Sequence, residues 1–305
     1  MKIHYFAVLA AAALLTGCTV TPNASTQVRR AEPAATPVAT APAHATPVWP
    51  ASAPDLQAQS AILIDANTGD VIFQKNADVR RPVASTQKLL TGLLVARRGH
   101  LDGLITIKPE DTRVEPTKLG LRAGERYSRR NLLEAIMVKS CNDACAALAR
   151  DHSGSEEEFA HSMNSTAWSL GARDSLFINS HGLPANQYST ARDIARVAHR
   201  AYRNPDLRRM MQQRQAIFRH NNGRVTVLKA TNKLLDRSTV YNGMKTGFTN
   251  AAGRCLVSSG RFNGREVILV QLGSKTQYIF NDAERLMAWS ARSATYPPVA
   301  YYGTF

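Results

Sequence analysis

The placement of strand-like and helical segments most strongly limits how this chain can fold. Strands are predicted at both ends of the region after residue 59, over 61–65, 71–73, 243–249, 254–258 and 266–272. Helices are predicted between or after them, over 89–96, 132–150, 159–170, 191–202 and 280–291. A hairpin is predicted over Gln215–Leu228, around Asn221–Gly223. The pattern therefore predicts an α/β (α+β) domain whose sheet is assembled from both ends, with a helical insertion between them.

The composition changes sharply before this region. Residues 18–58 are rich in Ala, Thr, Pro and Ser and contain half of the 14 prolines. Such a segment cannot bury a core, so we predict a disordered linker there, a folded domain over 59–292 and a short tail over 293–305. At ~3.1 Å per residue the linker could extend on the order of 100 Å.

The first residues predict export and lipid attachment. A basic Lys2 and an apolar stretch, Phe6–Leu15, precede Leu15–Cys18, a run that resembles the lipobox of bacterial lipoproteins. The resemblance implies a signal peptide over 1–17 and an acylated Cys18, which would anchor the protein in the periplasm. Thr19 favours the outer over the inner membrane. The alternative is an ordinary secretory signal with an incidental cysteine.

The charge balance suggests contact with polyanions. Lys and Arg number 38 against 23 Asp and Glu, a formal net charge of +15. Export argues against nucleic acid as the partner. The basic segment 203–233 is interpreted either as a solvated face or as a surface attracted to anionic wall polymers or membrane headgroups. The histidines lack ligand spacing, so we predict neither a metal nor another cofactor.

Three short motifs are candidates for chemistry. In Ser85-Thr86-Gln87-Lys88, a serine and a lysine lie one helical turn apart, as a nucleophile and its base require. In Ser140-Cys141-Asn142, a hydroxyl and a carboxamide could face one cleft and handle a proton and a substrate amide. In Lys245-Thr246-Gly247, an ammonium and a hydroxyl could bind a carboxylate, and the glycine, which lacks a side chain, would let a substrate backbone approach the strand closely. Each motif alone is also typical of a capped or solvated surface segment.

In this order, the three motifs resemble the active-site set of the penicillin-recognising serine enzymes. Other runs resemble the low-molecular-mass D-alanyl-D-alanine carboxypeptidases, namely Asn142–Ala144, Phe177–Leu183, Ser189–Asp193, Thr231–Leu235 and Ala251–Leu256. The resemblance extends from about Ser60 to Leu286. It implies a β-lactamase/transpeptidase-like fold with a mostly antiparallel sheet, flanking helices and an inserted helical subdomain.

The resemblance also implies roles for individual residues. Ser85 would attack a peptide ending in D-Ala-D-Ala, and Lys88 would take its proton. Ser140 would pass a proton to the leaving D-alanine, and Asn142 would hold the substrate backbone. The carboxylate would bind at Lys245, Thr246 and Gly247, and backbone N–H groups of Ser85 and Phe248 would form the oxyanion hole. β-Lactams would acylate Ser85 as well.

Several alternatives remain open at this point. A DD-endopeptidase that cuts peptide crosslinks would use the same residues as a carboxypeptidase, and a non-catalytic wall-binding lipoprotein would keep the fold without turnover. A β-lactamase is disfavoured because no Glu-x-x-Leu-Asn run is present to activate a deacylating water. Cys141 stands where relatives often have glycine, and could narrow the site. It or Cys145 could bond to Cys255, or all three thiols could be free.

Overall fold

The computed structural model describes residues 52–292. The predicted signal peptide, Cys18, most of the predicted linker and the tail lie outside this range. The strands of the described chain are β1 Ser60–Asp65, β2 Val71–Lys75, β3 Leu104–Thr106, β4 Arg126–Ser128, β5 Gln215–Arg219, β6 Val225–Lys229, β7 Tyr241–Thr249, β8 Gly253–Phe262 and β9 Arg265–Ser274. Its α-helices are α1 Lys88–Arg98, α2 Arg129–Lys139, α3 Asn142–Ser153, α4 Glu156–Ser169, α5 Ala191–Tyr202, α6 Pro205–Met211, α7 Leu234–Arg237 and α8 Ile279–Arg292.

The main sheet combines the two ends of the domain, as predicted. Its five strands lie in the order β2-β1-β9-β8-β7, and every neighbouring pair is antiparallel. Strand β1 pairs with β9 through contacts such as Leu63 opposite Leu269. The prediction of one mostly antiparallel sheet built from both termini is therefore confirmed, and β7 forms one edge of it.

Helices cover both faces of this sheet. Ile62 and Ile64 of β1 belong to the larger apolar cluster, which includes the cores of α1–α5. Leu63, which alternates with them, belongs to a smaller cluster that includes Leu286 and Met287 of α8. Because successive strand residues point to opposite faces, strands buried on both faces read as continuous apolar runs.

The helical insertion differs from the sequence prediction at one important point. The helix predicted over 132–150 is two helices, because Ser140 adopts left-handed backbone angles with φ of 71° and ends α2. Helix α6 was not predicted, although Asn204 caps it and Pro205 starts it. Helix α5 has the predicted bounds, and the Thr190 hydroxyl caps it by accepting from the Asp193 N–H.

The packed region begins before residue 59, the predicted start of the domain. Leu56 and Ala58 are buried, and the Gln57 N–H donates to Asp282 Oδ2 at 2.8 Å. These contacts attach the end of the predicted linker to the start of α8. No helix between residues 52 and 292 combines the length and the apolar character that a bilayer crossing requires.

Candidate active site

The first motif lies where a short 3-10 turn, Ala84–Gln87, leads into α1. Lys88 is the first residue of α1, and its Nζ lies 2.8 Å from Ser85 Oγ. The Thr86 hydroxyl donates to the Val83 carbonyl at 2.7 Å and stabilises the turn. Ser85 and Lys88 therefore lie next to each other, as the spacing predicts, and within hydrogen-bond distance.

The second motif lies at the break between α2 and α3. Ser140 is the residue with left-handed backbone angles at this break, and Asn142 is the first residue of α3. The Asn142 Oδ1 atom accepts a hydrogen bond from Lys88 Nζ at 2.7 Å. The helix break thus brings the second motif to the first, which the predicted continuous helix would not have done.

The third motif lies on edge strand β7, against the 3-10 turn. An added Cβ at Gly247 would lie 2.9 Å from the Ser85 backbone nitrogen, so only glycine allows this approach. The Thr246 hydroxyl donates to Thr231 Oγ1 at 2.7 Å, and the Thr231 N–H donates to the Val138 carbonyl near the end of α2. The strand is therefore connected to both other motifs.

Both lysines of the motifs are completely buried. Burial lowers the pKa of Lys88, because a desolvated ammonium loses its hydration. Burial, followed by the charge of neighbouring Lys88, lowers the pKa of Lys245 to about 7. The site therefore holds two buried amines whose pKa values are both lowered, chiefly by desolvation.

A loop outside the three motifs completes the site. The His181 carbonyl accepts hydrogen bonds from Lys88 Nζ and, at 3.3 Å, from Ser85 Oγ. Gly182 follows with φ of 84°, and a Cβ there would lie 2.2 Å from the Ala84 carbonyl oxygen. The His181 side chain is buried, and burial followed by the charge of Lys88 lowers its pKa to about 3. The run Phe177–Leu183 was the only sequence signal for this loop.

A second loop, residues 116–121, holds the start of α3. The Asn142 N–H donates to the Thr117 carbonyl at 2.8 Å, and its side-chain amide donates to the Pro116 carbonyl. The buried carboxylate of Asp143 accepts from the N–H groups of Leu119 and Gly120, each at 3.0 Å. These bonds fix the orientation of Asn142.

The cysteines between residues 52 and 292 are core residues. Cys141, Cys145 and Cys255 are free thiols, and all three are buried. Burial raises the pKa of Cys141 and of Cys145 to about 12. The Cys141 side chain is fully buried and belongs to the main apolar cluster.

Of the remaining predicted site residues, Ser140 is almost fully buried, and Phe248 is 50% exposed. The guanidinium of Arg254 lies 4.3 Å from the centre of the Phe248 ring. Among residues 52–292, no cluster of three or more His, Cys, Asp or Glu is placed to hold a metal ion. The geometry brings a hydroxyl and two buried amines with lowered pKa values into one site, which suits acyl transfer to serine.

Known proteins are similar to this chain in sequence. The family described as D-alanyl-D-alanine carboxypeptidase matches residues 48–276. A D-alanyl-D-alanine endopeptidase of Pseudomonas aeruginosa is 35% identical over 77% of this chain and 77% of its own length. The D-alanyl-D-alanine carboxypeptidase DacA of Escherichia coli is 33% identical over 78% of this chain, which spans 62% of that relative.

The fold is shared with solved structures. A D-alanyl-D-alanine carboxypeptidase from Mycobacterium tuberculosis superposes with a TM-score of 0.78 and 28% identity, over 86% of this chain and all of that one. The predicted fold class is thereby confirmed.

Proposed function

The chain belongs to the D-alanyl-D-alanine carboxypeptidase family. On that premise we propose that it is a serine DD-peptidase of peptidoglycan whose main activity is that of a carboxypeptidase. Its substrates are stem peptides that end in D-Ala-D-Ala, and β-lactams acylate it. The observation that carries this proposal is the 2.8 Å contact between Ser85 Oγ and a fully buried Lys88 amine.

The surroundings of Lys88 support a role as the base. Two of its three partners, Asn142 Oδ1 and the His181 carbonyl, can only accept hydrogen bonds. A neutral amine that donates to both directs its lone pair at the third partner, the Ser85 hydroxyl. Ser85 Oγ then bonds to the penultimate carbonyl carbon while its proton moves to Lys88 Nζ.

The oxyanion that forms in this step needs two donors. The backbone N–H groups of Ser85 and Phe248 are the proposed pair, and support comes from the close approach of Gly247 to the Ser85 nitrogen. Each such donor is worth about 3 kcal/mol of barrier in other hydrolases.

The carbon–nitrogen bond then breaks, and the proton that Lys88 accepted from Ser85 passes through the Ser140 hydroxyl to the departing D-alanine amine, which leaves Lys88 neutral again. Lys245 and Thr246 bind the terminal carboxylate beside Gly247, while Asn142 holds the substrate backbone. Water hydrolyses the ester, which releases the shortened peptide and restores the Ser85 hydroxyl. Because no Glu-x-x-Leu-Asn run is present to activate water, we expect slow release of bound β-lactam.

Intact-mass analysis after a β-lactam pulse tests the nucleophile. The native chain should gain the mass of one β-lactam, and Ser85→Ala should gain none. Ser165→Ala, on the exposed face of α4, is the matched control and should be acylated like the native chain. An adduct retained by Ser85→Ala would refute the assignment, and a native chain without an adduct would favour a non-catalytic wall-binding lipoprotein.

A DD-endopeptidase is the second candidate. The chain spans more of the length of the Pseudomonas endopeptidase than of the Escherichia coli carboxypeptidase, which favours this alternative. Digestion of purified peptidoglycan separates the two activities. Free D-alanine supports the carboxypeptidase, and conversion of crosslinked dimers to monomers supports the endopeptidase.

We also propose that acylated Cys18 anchors the enzyme to the outer membrane from the periplasm, with the linker over 18–58 as a spacer. Support comes from the lipobox-like run Leu15–Cys18 and from the action of this family on the cell wall. Cys18→Ala should abolish incorporation of labelled fatty acid and, at high salt, which screens charge-driven contacts, move the protein from the membrane fraction to the soluble fraction. Fatty-acid incorporation that survives this change would refute the anchor.

A further inference from the structure

The β5–β6 hairpin carries an exposed face that the proposed reaction does not use. Its inward residues, Ala216, Phe218 and Leu228, are buried in the main core. Its outward residues form three cross-strand pairs, Gln215 with Lys229, Ile217 with Val227, and Arg219 with Val225. Because residues of one face alternate with those of the other, all six outward side chains lie side by side.

The centre of this outward face is apolar. Ile217, Val227 and Val225 are 56%, 53% and 50% exposed. Isolated exposed apolar residues are normal, but three contiguous β-branched side chains on one hairpin indicate a surface that contacts something else.

The same face and its flanks are strongly basic. Arg219 and Lys229 lie on the face, Arg214 directly precedes β5, and Lys233 follows β6 by four residues; all four are exposed. Within residues 52–292 no carboxylate pairs with any of these four, whereas nearby Arg208 and Arg209 pair with Glu266 and Asp206. The positive charge of the hairpin is therefore available to an anionic partner.

We propose that the outward face of the β5–β6 hairpin docks onto an anionic lipid surface. An anionic polymer would engage the cations and leave Ile217 and Val227 in water. A membrane interface can bind both the apolar and the basic residues of this face. Apolar side chains enter the boundary between headgroups and acyl chains, and cations contact the lipid phosphates.

Docking there would place the cleft at a defined orientation to the membrane. Beyond β6 the chain leads directly to Thr231, whose hydroxyl contacts Thr246 of the third motif. At the hairpin tip, Arg224 donates to the Leu119 carbonyl of the loop that holds Asn142 and Asp143. The hairpin is thus attached to the cleft on two sides, and both connections are within the described domain.

Vesicle co-sedimentation tests the proposal. The full chain carrying Cys18→Ser, which removes the predicted acylation site, is mixed with vesicles of phosphatidylcholine alone or with added phosphatidylglycerol. We expect binding to the anionic vesicles that weakens as salt rises. Binding to neutral vesicles measures any contribution of the apolar N-terminal segment.

Two double variants separate the apolar and the charged contributions. Ile217→Ser with Val227→Ser, and separately Arg219→Gln with Lys229→Gln, should each weaken binding to anionic vesicles by about tenfold. Val79→Ser with Arg200→Gln, at exposed positions away from the hairpin, is the matched control and should bind like the parent. Unchanged β-lactam acylation of Ser85 shows that each variant is folded.

Three results would overturn the proposal. The first is binding no stronger to anionic than to neutral vesicles. The second is equal binding of the apolar variant and the parent, with the charge variant losing affinity for soluble polyphosphate as well, which would identify an anionic polymer as the partner. The third is self-association in the absence of vesicles that the apolar variant abolishes, which would mean that a second copy of the chain covers this face.

Discussion

Helix α1 and strand β7 each contribute a buried lysine to the site, but the two lysines have different surroundings. On the helical side, Lys88 has three hydrogen-bond partners, Ser85, Asn142 and the His181 carbonyl. On the strand side, Lys245 has one hydrogen bond within the described chain, to the Thr246 carbonyl at 2.9 Å. The two lysines are therefore equally buried but differ in their number of hydrogen-bond partners.

The difference indicates how one fold can assign two tasks to the same residue type. Burial lowers the pKa of both amines. The partners of Lys88 direct its lone pair at the hydroxyl, which suits proton transfer. Lys245 keeps donor capacity that a substrate carboxylate can use. We therefore expect changes at the two lysines to affect different steps.

Removal of the amine of Lys88 should have the largest effect. In Lys88→Met the Ser85 hydroxyl loses its proton acceptor, and we expect the rate of β-lactam acylation to fall by about 10³-fold. Stopped-flow acylation measures this rate. Lys229→Met, on the exposed hairpin, is the control and should acylate normally. A fall of less than tenfold in Lys88→Met would show that another group accepts the proton.

Removal of the amine of Lys245 should affect binding more than chemistry. For a peptide ending in D-Ala-D-Ala, we expect Lys245→Met to lower kcat/KM by about 100-fold, mainly through KM, because a carboxylate loses a desolvated partner. For the same peptide with an amidated terminus, the native chain and the variant should differ little. An equal loss for both peptides would place Lys245 in the chemical step.

The acylation rate should also depend on the loop of residues 116–121, which orients Asn142. In Asp143→Asn an amide N–H₂ replaces an acceptor that faces the Leu119 and Gly120 N–H groups. We expect about 2 kcal/mol less stability and an acylation rate lower by about tenfold, as Asn142 shifts.

Denaturant unfolding and acylation kinetics measure both effects of this change. The exposed ion pair of Asp174 with Arg80 provides the control, since Asp174→Asn should alter neither quantity measurably. Normal acylation in a destabilised Asp143→Asn would limit Asp143 to a structural role.

The smallest predicted effect is on pH dependence. Protonated Lys245 binds the carboxylate and its pKa is about 7, so binding should weaken as pH rises. Between pH 7 and 8 the protonated fraction falls about fivefold, and kcat/KM for the free-acid peptide should fall with it. Lys245→Arg should remove this decline, because arginine stays charged. A decline that persists in Lys245→Arg belongs to another group.

Deprotonation of Lys245 should have the opposite effect on stability: the free energy of unfolding should rise with pH, whereas kcat/KM falls. In the unfolded chain Lys245 keeps its proton up to its ordinary pKa of 10.5, whereas in the folded chain it loses the proton near 7. Between these values the unfolded state binds more protons, so the contribution of Lys245 to the free energy of unfolding rises with pH. Denaturant titrations at pH 7 and 9 with the native chain and Lys245→Met measure this contribution.

Much of the fold and part of the site could be predicted from the sequence. The strands at both ends of the domain are found in one antiparallel sheet. Ser85 and Lys88 are found in contact, because helical spacing alone places residues i and i+3 together. The positions of the strands and the spacing of Ser85 and Lys88 follow from local patterns, and the pairing of the two ends in one sheet follows from the order of strands and helices along the chain.

The missed features depend on long-range packing. The break at Ser140 has no local signal, since neither glycine nor proline marks it, and its left-handed angles are stabilised by the folded surroundings. The acceptor at His181 is a backbone carbonyl, which every residue carries, so no residue type could identify it. The support of Asn142 by the loop around Pro116 is likewise a backbone contact.

By itself, the sequence determined which residues could perform acyl transfer and the local spacing of Ser85 and Lys88. Only the tertiary structure decided that Lys88 and Lys245 are both buried in one site and differ in their hydrogen-bond partners. The physical reason is that desolvation and hydrogen-bond coordination depend on segments far apart in the chain, whereas spacing within one helical turn depends on backbone geometry alone.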